Sequence, residues 1–109
     1  MSDIQPYLQI ITDRFIKPYM QEALKGFTKT ILFTFSDTGE SWLIKVNDGK
    51  EAALSRELIE QPDIRVTSST ETLAGILDGK INAVTSYLQR RIQVKGAMED
   101  LLRMQKIMK

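Results

Sequence analysis

The chain of 109 residues contains no cysteine and no histidine. Without cysteine it can form no disulfide, thiolate nucleophile, iron–sulfur cluster or thiolate zinc site of its own. Without histidine it also lacks the residue on which Ser-His-Asp catalysis and imidazole metal ligation depend. We therefore expect neither a metal site nor a cofactor.

Long apolar runs are missing as well. The first three residues, Met1, Ser2 and Asp3, lack the basic region and the apolar run of a secretory signal, which favours a cytoplasmic protein. With 42% hydrophobic and 27% charged residues, the composition is that of one globular domain over residues 1–109. A domain of this size has little spare apolar volume, so any internal cavity must be part of its core.

The chain also lacks a large excess of positive or negative charge, because it has 15 Lys and Arg and 14 Asp and Glu residues. A net charge of +1 argues against a nucleic-acid binder that neutralises phosphates. The charge is uneven, however, since residues 80–109 carry seven basic and two acidic groups. This basic C-terminal third is compatible with transient contact with anionic lipid, although a solvated basic face is the simpler explanation.

Apolar residues at helical spacing begin near the N-terminus. They are Ile4, Tyr7, Leu8, Ile11 and Phe15. The spacing predicts an amphipathic helix to about Lys17, opened by a cap at Ser2 or Asp3. Because proline is disfavoured inside a helix, Pro18 is expected to begin a second short helix over residues 18–25.

Alternating apolar residues then predict a meander of strands. The first two strands each present one apolar face, made by Ile31, Phe33, Phe35 and by Trp42, Ile44, Val46. Residues 37–40 form the turn between them. The pair Asp48-Gly49 supplies the positive φ of a second tight turn, into a third strand through Ala52 and Leu54.

Strands and helices alternate in the second half of the chain. Residues 64–68 predict a strand, and Ser68 with Glu71 has the spacing of a capping box for the next helix. Asn82 is expected to cap a short helix whose apolar residues, Val84, Tyr87 and Leu88, face inward. A strand over residues 92–95 and an amphipathic C-terminal helix complete an α+β fold with about five strands, mainly antiparallel, covered by helices.

Five carboxylates are the best candidates for acid–base chemistry. They are Asp37, Glu40, Asp48, Glu51 and Asp63, all in predicted turns or at strand ends. Acidic residues at such positions usually face water, and nothing in the local sequence indicates the burial that raises the pKa of a general acid. We therefore expect no enzyme.

The chain resembles the sterol carrier protein family of small lipid-transfer domains. The likeness rests on Trp42 and Asp48-Gly49, on residues 62–66 (Pro-Asp-Ile-Arg-Val), on the short helix from Leu73 to Gly79, and on residues 91–96 (Arg-Ile-Gln-Val-Lys-Gly). It extends roughly from the first helix to the C-terminus. The chain departs from the family at three positions, where Ala83 replaces the usual proline, Arg90 a glycine and Ala97 an acidic or amide residue.

The resemblance implies an apolar tunnel between the sheet and the helices, which takes sterols, fatty acids, acyl-CoA esters or phospholipids. The expected lining is Phe33, Phe35, Ile44, Leu73, Ile76, Leu77, Tyr87, Leu88, Leu101, Met104 and Met108, with the C-terminal helix as a lid. Met104 and Met108 suit a movable wall because the flexible thioether adapts to ligands of different shape. The implied function is non-catalytic lipid binding and transfer.

An alternative keeps the fold but fills the tunnel. Such a domain would dimerise, or support a lipid-modifying or quinone-modifying enzyme as an accessory domain. Large side chains such as Tyr19 and Phe27 would then be exposed at an interface. An internal void favours the carrier, whereas a buried symmetric contact favours assembly.

Overall fold

A computed structural model of the chain describes residues 4–20, 22 and 24–108, with only the backbone described at residues 83 and 104–108. The helices are α1 (Gln5–Arg14), α2 (Thr70–Leu77), α3 (Ala83–Leu88) and α4 (Met98–Met108), and a single 3₁₀ turn spans Pro18–Met20. The strands are β1 (Lys29–Phe35), β2 (Ser41–Asn47), β3 (Glu51–Ser55), β4 (Ile64–Ser68) and β5 (Ile92–Lys95).

The strands form one five-stranded sheet in the order β3-β2-β1-β4-β5. β1 is antiparallel to β2, β2 to β3 and β4 to β5, whereas β1 and β4 run parallel. The register pairs Phe33 with Trp42 across the hairpin and with Val66 across the parallel pair. The predicted α+β fold with a mainly antiparallel sheet of five strands is confirmed.

The helices lie on one face of the sheet, which we call the inner face. Alternate residues of every strand point to it and form one connected apolar core with α1, α2 and the segment after the 3₁₀ turn. α1 contributes Leu8, Ile11 and Phe15, all fully buried, because the spacing of three and four residues places them on one side of the helix.

The connection between β3 and β4, residues 56–63, crosses the opposite or outer face, and we call it the strap. Lys45 and Arg65 point to this face, where Lys45 pairs with Glu57 of the strap at 3.6 Å and Arg65 donates to the Glu60 carbonyl at 3.3 Å. Leu32 and Leu43, also on the outer face, are fully buried. The two faces therefore differ: one carries the helices, and the other carries a short crossing segment.

The N-terminal region differs from its prediction in two respects. α1 ends at Arg14 rather than near Lys17, and the segment from Pro18 forms a 3₁₀ turn instead of a helix over residues 18–25. Proline supplies no N–H for a helical hydrogen bond and disfavours helical geometry in the residue before it. The predicted caps, Ser2 and Asp3, lie outside the described residues.

Turn and cap chemistry is otherwise close to prediction. Asp48 and Gly49 both have positive φ, at 54° and 66°, as a tight hairpin turn requires. Asn82 caps α3 by accepting the Thr85 N–H at 3.0 Å. The predicted capping box at Ser68 is wrong, because Ser68 still pairs in β4, and the N-cap of α2 is Ser69.

Candidate functional site

Most of the predicted lining lies between the inner face of the sheet and the helices. Phe33, Phe35, Ile44, Leu73 and Ile76 are buried in one connected cluster. Leu77 of α2 and Leu101 of α4 are half-buried and pack against it. The structure thus brings together side chains from two strands and two helices that are up to 68 residues apart in sequence.

Two pairs of aromatic rings pack in this interior. The rings of Phe33 and Phe35 stack with centroids 6.5 Å apart, and those of Phe15 and Phe27 stack at 6.1 Å. All four are at most 1% exposed. The tunnel that the resemblance implies stays a prediction.

Three fully buried core residues lie outside the predicted lining. They are Leu8 and Ile11 of α1 and Phe15 at its C-cap, and their helical stripe was visible in the sequence. The expectation that Phe27 is exposed is wrong, because Phe27 is fully buried against Phe15. Tyr19 is 73% exposed, as that alternative required.

The predicted inward orientation of α3 is wrong. Val84, Tyr87 and Leu88 are 54%, 52% and 74% exposed, while Ser86 is buried. The cap at Asn82 and the hydrogen bond from the Arg91 N–H to the Ser86 carbonyl at 2.8 Å hold this short helix at both ends. Because both ends of α3 are fixed, Ser86 points toward the protein, and the apolar side chains of the helix point to solvent.

A surface groove of about 420 Å³ runs between α3 and β5. It is lined by Tyr87, Leu88, Arg90, Ile92, Gln93, Val94 and Lys95. Ile92 belongs to the core cluster and Val94 packs against it, so two residues of the groove lining also contact the core. Tyr87 and Leu88 line this surface groove and do not belong to the core cluster. The side chains of Met104 and Met108 lie outside the described residues.

The candidate carboxylates hold loops together. Asp63 accepts hydrogen bonds from the Thr30 N–H at 2.9 Å and the Thr30 hydroxyl at 3.1 Å, and Asp48 accepts the Gly26 N–H. Glu40 accepts the Trp42 indole N–H at 2.9 Å. The contacts of Asp63 and Asp48 join segments remote in sequence, whereas that of Glu40 is local. All three are structural uses of the charge.

Asp37 fixes the turn after β1 to the start of α2. Its carboxylate accepts the Thr70 hydroxyl at 2.6 Å and the Thr70 N–H at 3.1 Å. These hydrogen bonds, that of the hydroxyl first, hold the pKa of Asp37 below its ordinary value of 3.8. The carboxylate is thereby kept ionised as an anchor.

Replacing Asp37 with alanine is expected to lower the free energy of unfolding by about 1 kcal/mol, a modest loss because the carboxylate is exposed to solvent. Since the pKa is lower in the folded state, this contribution is complete above the unfolded pKa and is lost as the pH falls through the folded pKa. Urea unfolding at neutral and acidic pH should therefore show the deficit of Asp37→Ala shrinking in acid. An equal deficit at both values, or the same behaviour in an Asp13→Ala control, would contradict this role.

Within the described part of the chain, no three His, Cys, Asp or Glu side chains are grouped so that they could hold a metal ion. Among the same residues, no helix combines the length and the hydropathy needed to cross a bilayer.

A comparison with known protein families shows to which of them the chain is related. The model of the SCP-2 sterol transfer family matches residues 9–109. The chain belongs to this family. The resemblance noted in the sequence is thus confirmed over nearly the whole length of the chain. No curated protein matches it at comparable significance.

Solved structures share the fold of this SCP-2 family member. The sterol carrier protein domain 2 of Helicoverpa armigera superposes with a TM-score of 0.71 and 18% identity, covering 94% of this chain and 83% of that one. A ubiquinone synthesis protein, UbiJ-SCP2, gives a TM-score of 0.64 and 14% identity over 90% and 82% of the two chains.

A much longer protein contains a similar domain. The sec-alkylsulfatase Pisa1 from Pseudomonas sp. gives a TM-score of 0.65 and 17% identity, covering 81% of this chain. The chain spans only 13% of the length of that sulfatase. At these identities the similarity concerns the fold alone.

Proposed function

We propose that the protein binds long apolar lipids between the inner face of its sheet and its helices, and transfers them without chemical change. Sterols, fatty acids, acyl-CoA esters and phospholipids are the ligand classes. The observation that carries the proposal is the apolar cluster of an SCP-2 sterol transfer family member. It includes Phe33, Phe35, Ile44, Leu73 and Ile76 of the predicted lining. Its member Ile92 and Val94, which packs against it, also line a surface groove.

Binding requires the packed interior to open. Each buried methylene of a ligand gains about 0.8 kcal/mol, so a chain of many methylenes can offset the loss of contacts between side chains that move apart. A bilayer offers a similar gain per methylene, and a carrier therefore needs only a comparable environment. Apolar contact without polar anchors suits several lipid classes and fixes none of them.

We propose that α4 is the wall that moves. Among its described apolar side chains, only Leu101 packs on the core, while Met98 and Leu102 are exposed. Two further contacts hold its first turns: Asp100 pairs with Lys29 at 3.5 Å, and the Arg103 guanidinium lies 5.7 Å from the Phe27 ring centre. α1, by contrast, is fixed by several fully buried side chains.

Native mass spectrometry of the delipidated protein with palmitate tests the proposal directly. We expect a complex of one protein with one fatty acid, accompanied by a change in the emission of Trp42, the single tryptophan of the chain. Trp42 is buried on the inner face and so reports on the interior. A protein that retains its mass and its emission at saturating palmitate would contradict the carrier function.

Weakening the hold on α4 should speed loading. Arg103→Gln removes a cation–π contact worth about 0.5–1 kcal/mol, so we expect the rate of fatty acid uptake to rise ~2–5-fold in stopped-flow fluorescence. Arg56→Gln is the matched control, because Arg56 lies 5.8 Å from the Trp42 ring centre, away from α4. Equal acceleration in both variants would argue against α4 as the moving wall.

A second candidate is an accessory domain for a lipid-modifying or quinone-modifying enzyme. Its support is the stacked aromatic rings in the interior together with the similarity to a ubiquinone synthesis protein. The domain would then bind its partner through the surface and take up no palmitate. The non-catalytic role, the cytoplasmic location and a homodimer stay predictions, the last measurable by size-exclusion chromatography with light scattering.

A further inference from the structure

The helix α3 presents its apolar side to solvent. Val84, Tyr87 and Leu88 are spaced by three and four residues and share one face, and each is more than half exposed. The opposite face buries Ser86, which is 1% exposed. A helix of a soluble protein normally buries its apolar face and exposes its polar face. We therefore expect the exposed apolar face of α3 to bind another molecule.

Basic side chains surround that face. Arg90 and Arg91 lie between α3 and β5, and Lys95 is the last residue of β5. The sequence has no acidic residue from position 79 to 98. Among the described residues, none of these three cations has a carboxylate within ion-pair distance. Asp100, the nearest buried carboxylate in sequence, is already paired with Lys29.

The backbone at Arg90 is strained. Its φ is 62°, in the left-handed region that costs a residue with a side chain roughly 1 kcal/mol. The Arg90 side chain nevertheless lines the groove between α3 and β5. A positive charge is thus held at a position where glycine would be less strained.

We propose that this surface, formed by Val84, Tyr87, Leu88, Arg90, Arg91 and Lys95 and called the α3–β5 surface, docks on anionic bilayers. The apolar side chains enter the interface of the bilayer, and the cations contact lipid phosphates and carboxylates. The inference deepens the proposed function, on which it rests for the identity of the cargo. Docking places the open groove, whose lining residues Ile92 and Val94 also contact the core, against the lipid surface.

A protein occupant fits the α3–β5 surface less well. β5 is an edge strand, so a second copy could pair with it, but this would bring Arg91 and Lys95 of two chains together. An acidic strand from another protein would pair with the backbone of β5 and neutralise the cations. It would still leave the apolar face of α3 in water. An anionic bilayer accepts both the apolar side chains and the cations at once.

Vesicle flotation of the full-length chain tests the docking surface. We expect flotation with vesicles in which roughly one-third of the phosphatidylcholine is replaced by phosphatidylserine, loss of flotation at high ionic strength, and none with phosphatidylcholine alone. Leu88→Gln should reduce partitioning about tenfold, because the inserted apolar side chain is lost. Leu58→Gln is the matched control, since Leu58 is 69% exposed on the strap, outside the proposed surface.

Arg90→Gly separates docking from folding. It removes one charge and relieves the strained backbone, so we expect about a fivefold loss of partitioning with an unchanged or higher melting temperature. Lys95→Gln should add a similar loss, whereas Lys17→Gln combined with Lys25→Gln should leave flotation unchanged. Equal losses in that control pair would reduce the effect to net charge and overturn the proposal.

Flotation and palmitate uptake are measured separately, so that failure of one is distinguished from failure of the other. Variants that lose flotation but still form the palmitate complex in solution support the docking surface. Flotation without any palmitate complex would overturn the carrier function and leave the docking surface standing. Failure to float, equal flotation with neutral vesicles, or a dimer that Leu88→Gln dissociates would overturn the docking surface.

Discussion

Phe33→Ala is expected to lower the free energy of unfolding by about 3–5 kcal/mol, because it leaves a cavity in the centre of the inner face. Phe33 is 1% exposed and stacks on Phe35, and its strand is paired on both sides. If this place is where lipid binds, palmitate should restore part of the lost stability. At a concentration of ~100 times its Kd, a ligand specific for the folded state adds about 2.7 kcal/mol.

Phe15→Ala provides the control for that experiment. Phe15 is fully buried and belongs to the other stacked pair, outside the predicted lining, so it should be destabilised by a comparable amount. Urea unfolding with and without palmitate compares the two variants. A greater recovery for Phe33→Ala places the ligand against β1, whereas equal recovery, or none, would exclude Phe33 as a lipid contact.

Gly49→Ala should destabilise the fold by about 2–4 kcal/mol for two separate reasons. Gly49 has a φ of 66°, which costs a residue with a Cβ atom about 1 kcal/mol. A Cβ at this position would also lie 2.9 Å from both the Cβ and the carbonyl oxygen of Leu24. Because Leu24 is fully buried in the core, its backbone cannot move away without disturbing the packing of the segment after the 3₁₀ turn.

Gly39→Ala isolates the first of these two reasons. Gly39 has a φ of 76°, but a Cβ there would meet no atom within 4 Å. Its replacement should therefore cost only about 1 kcal/mol, the value for the backbone conformation. Thermal unfolding of the two variants measures the difference, and equal losses would mean that the contact between Gly49 and Leu24 contributes nothing to stability.

Local patterns predicted the elements of the sheet well. The alternation through Phe33 and Trp42 identified the inner faces of β1 and β2, and Asp48-Gly49 identified the tight turn, because both features depend on neighbours in sequence. The boundary at Ser68 was wrong by one residue. Whether a serine ends a strand or caps a helix depends on the pairing of that strand with β1 and β5, which no local pattern contains.

The predicted lining divides along the same line. Leu73 and Ile76 are in the core because the apolar side of α2 packs on the inner face of the sheet. Tyr87 and Leu88 have an equally clear stripe, yet they face solvent. Periodicity indicates that a helix has an apolar side, but not which neighbour, if any, covers it.

The sequence by itself determined the chemistry that this protein lacks, the positions of its strands and tight turns, and the membership that residues 9–109 indicate. Only the tertiary structure decided that Phe27 is buried, that Ser86 rather than Leu88 is buried, and that two pairs of aromatic rings stack in the core. The reason is physical. Burial depends on the fit between segments far apart in the chain, and that fit is determined only when those segments pack together.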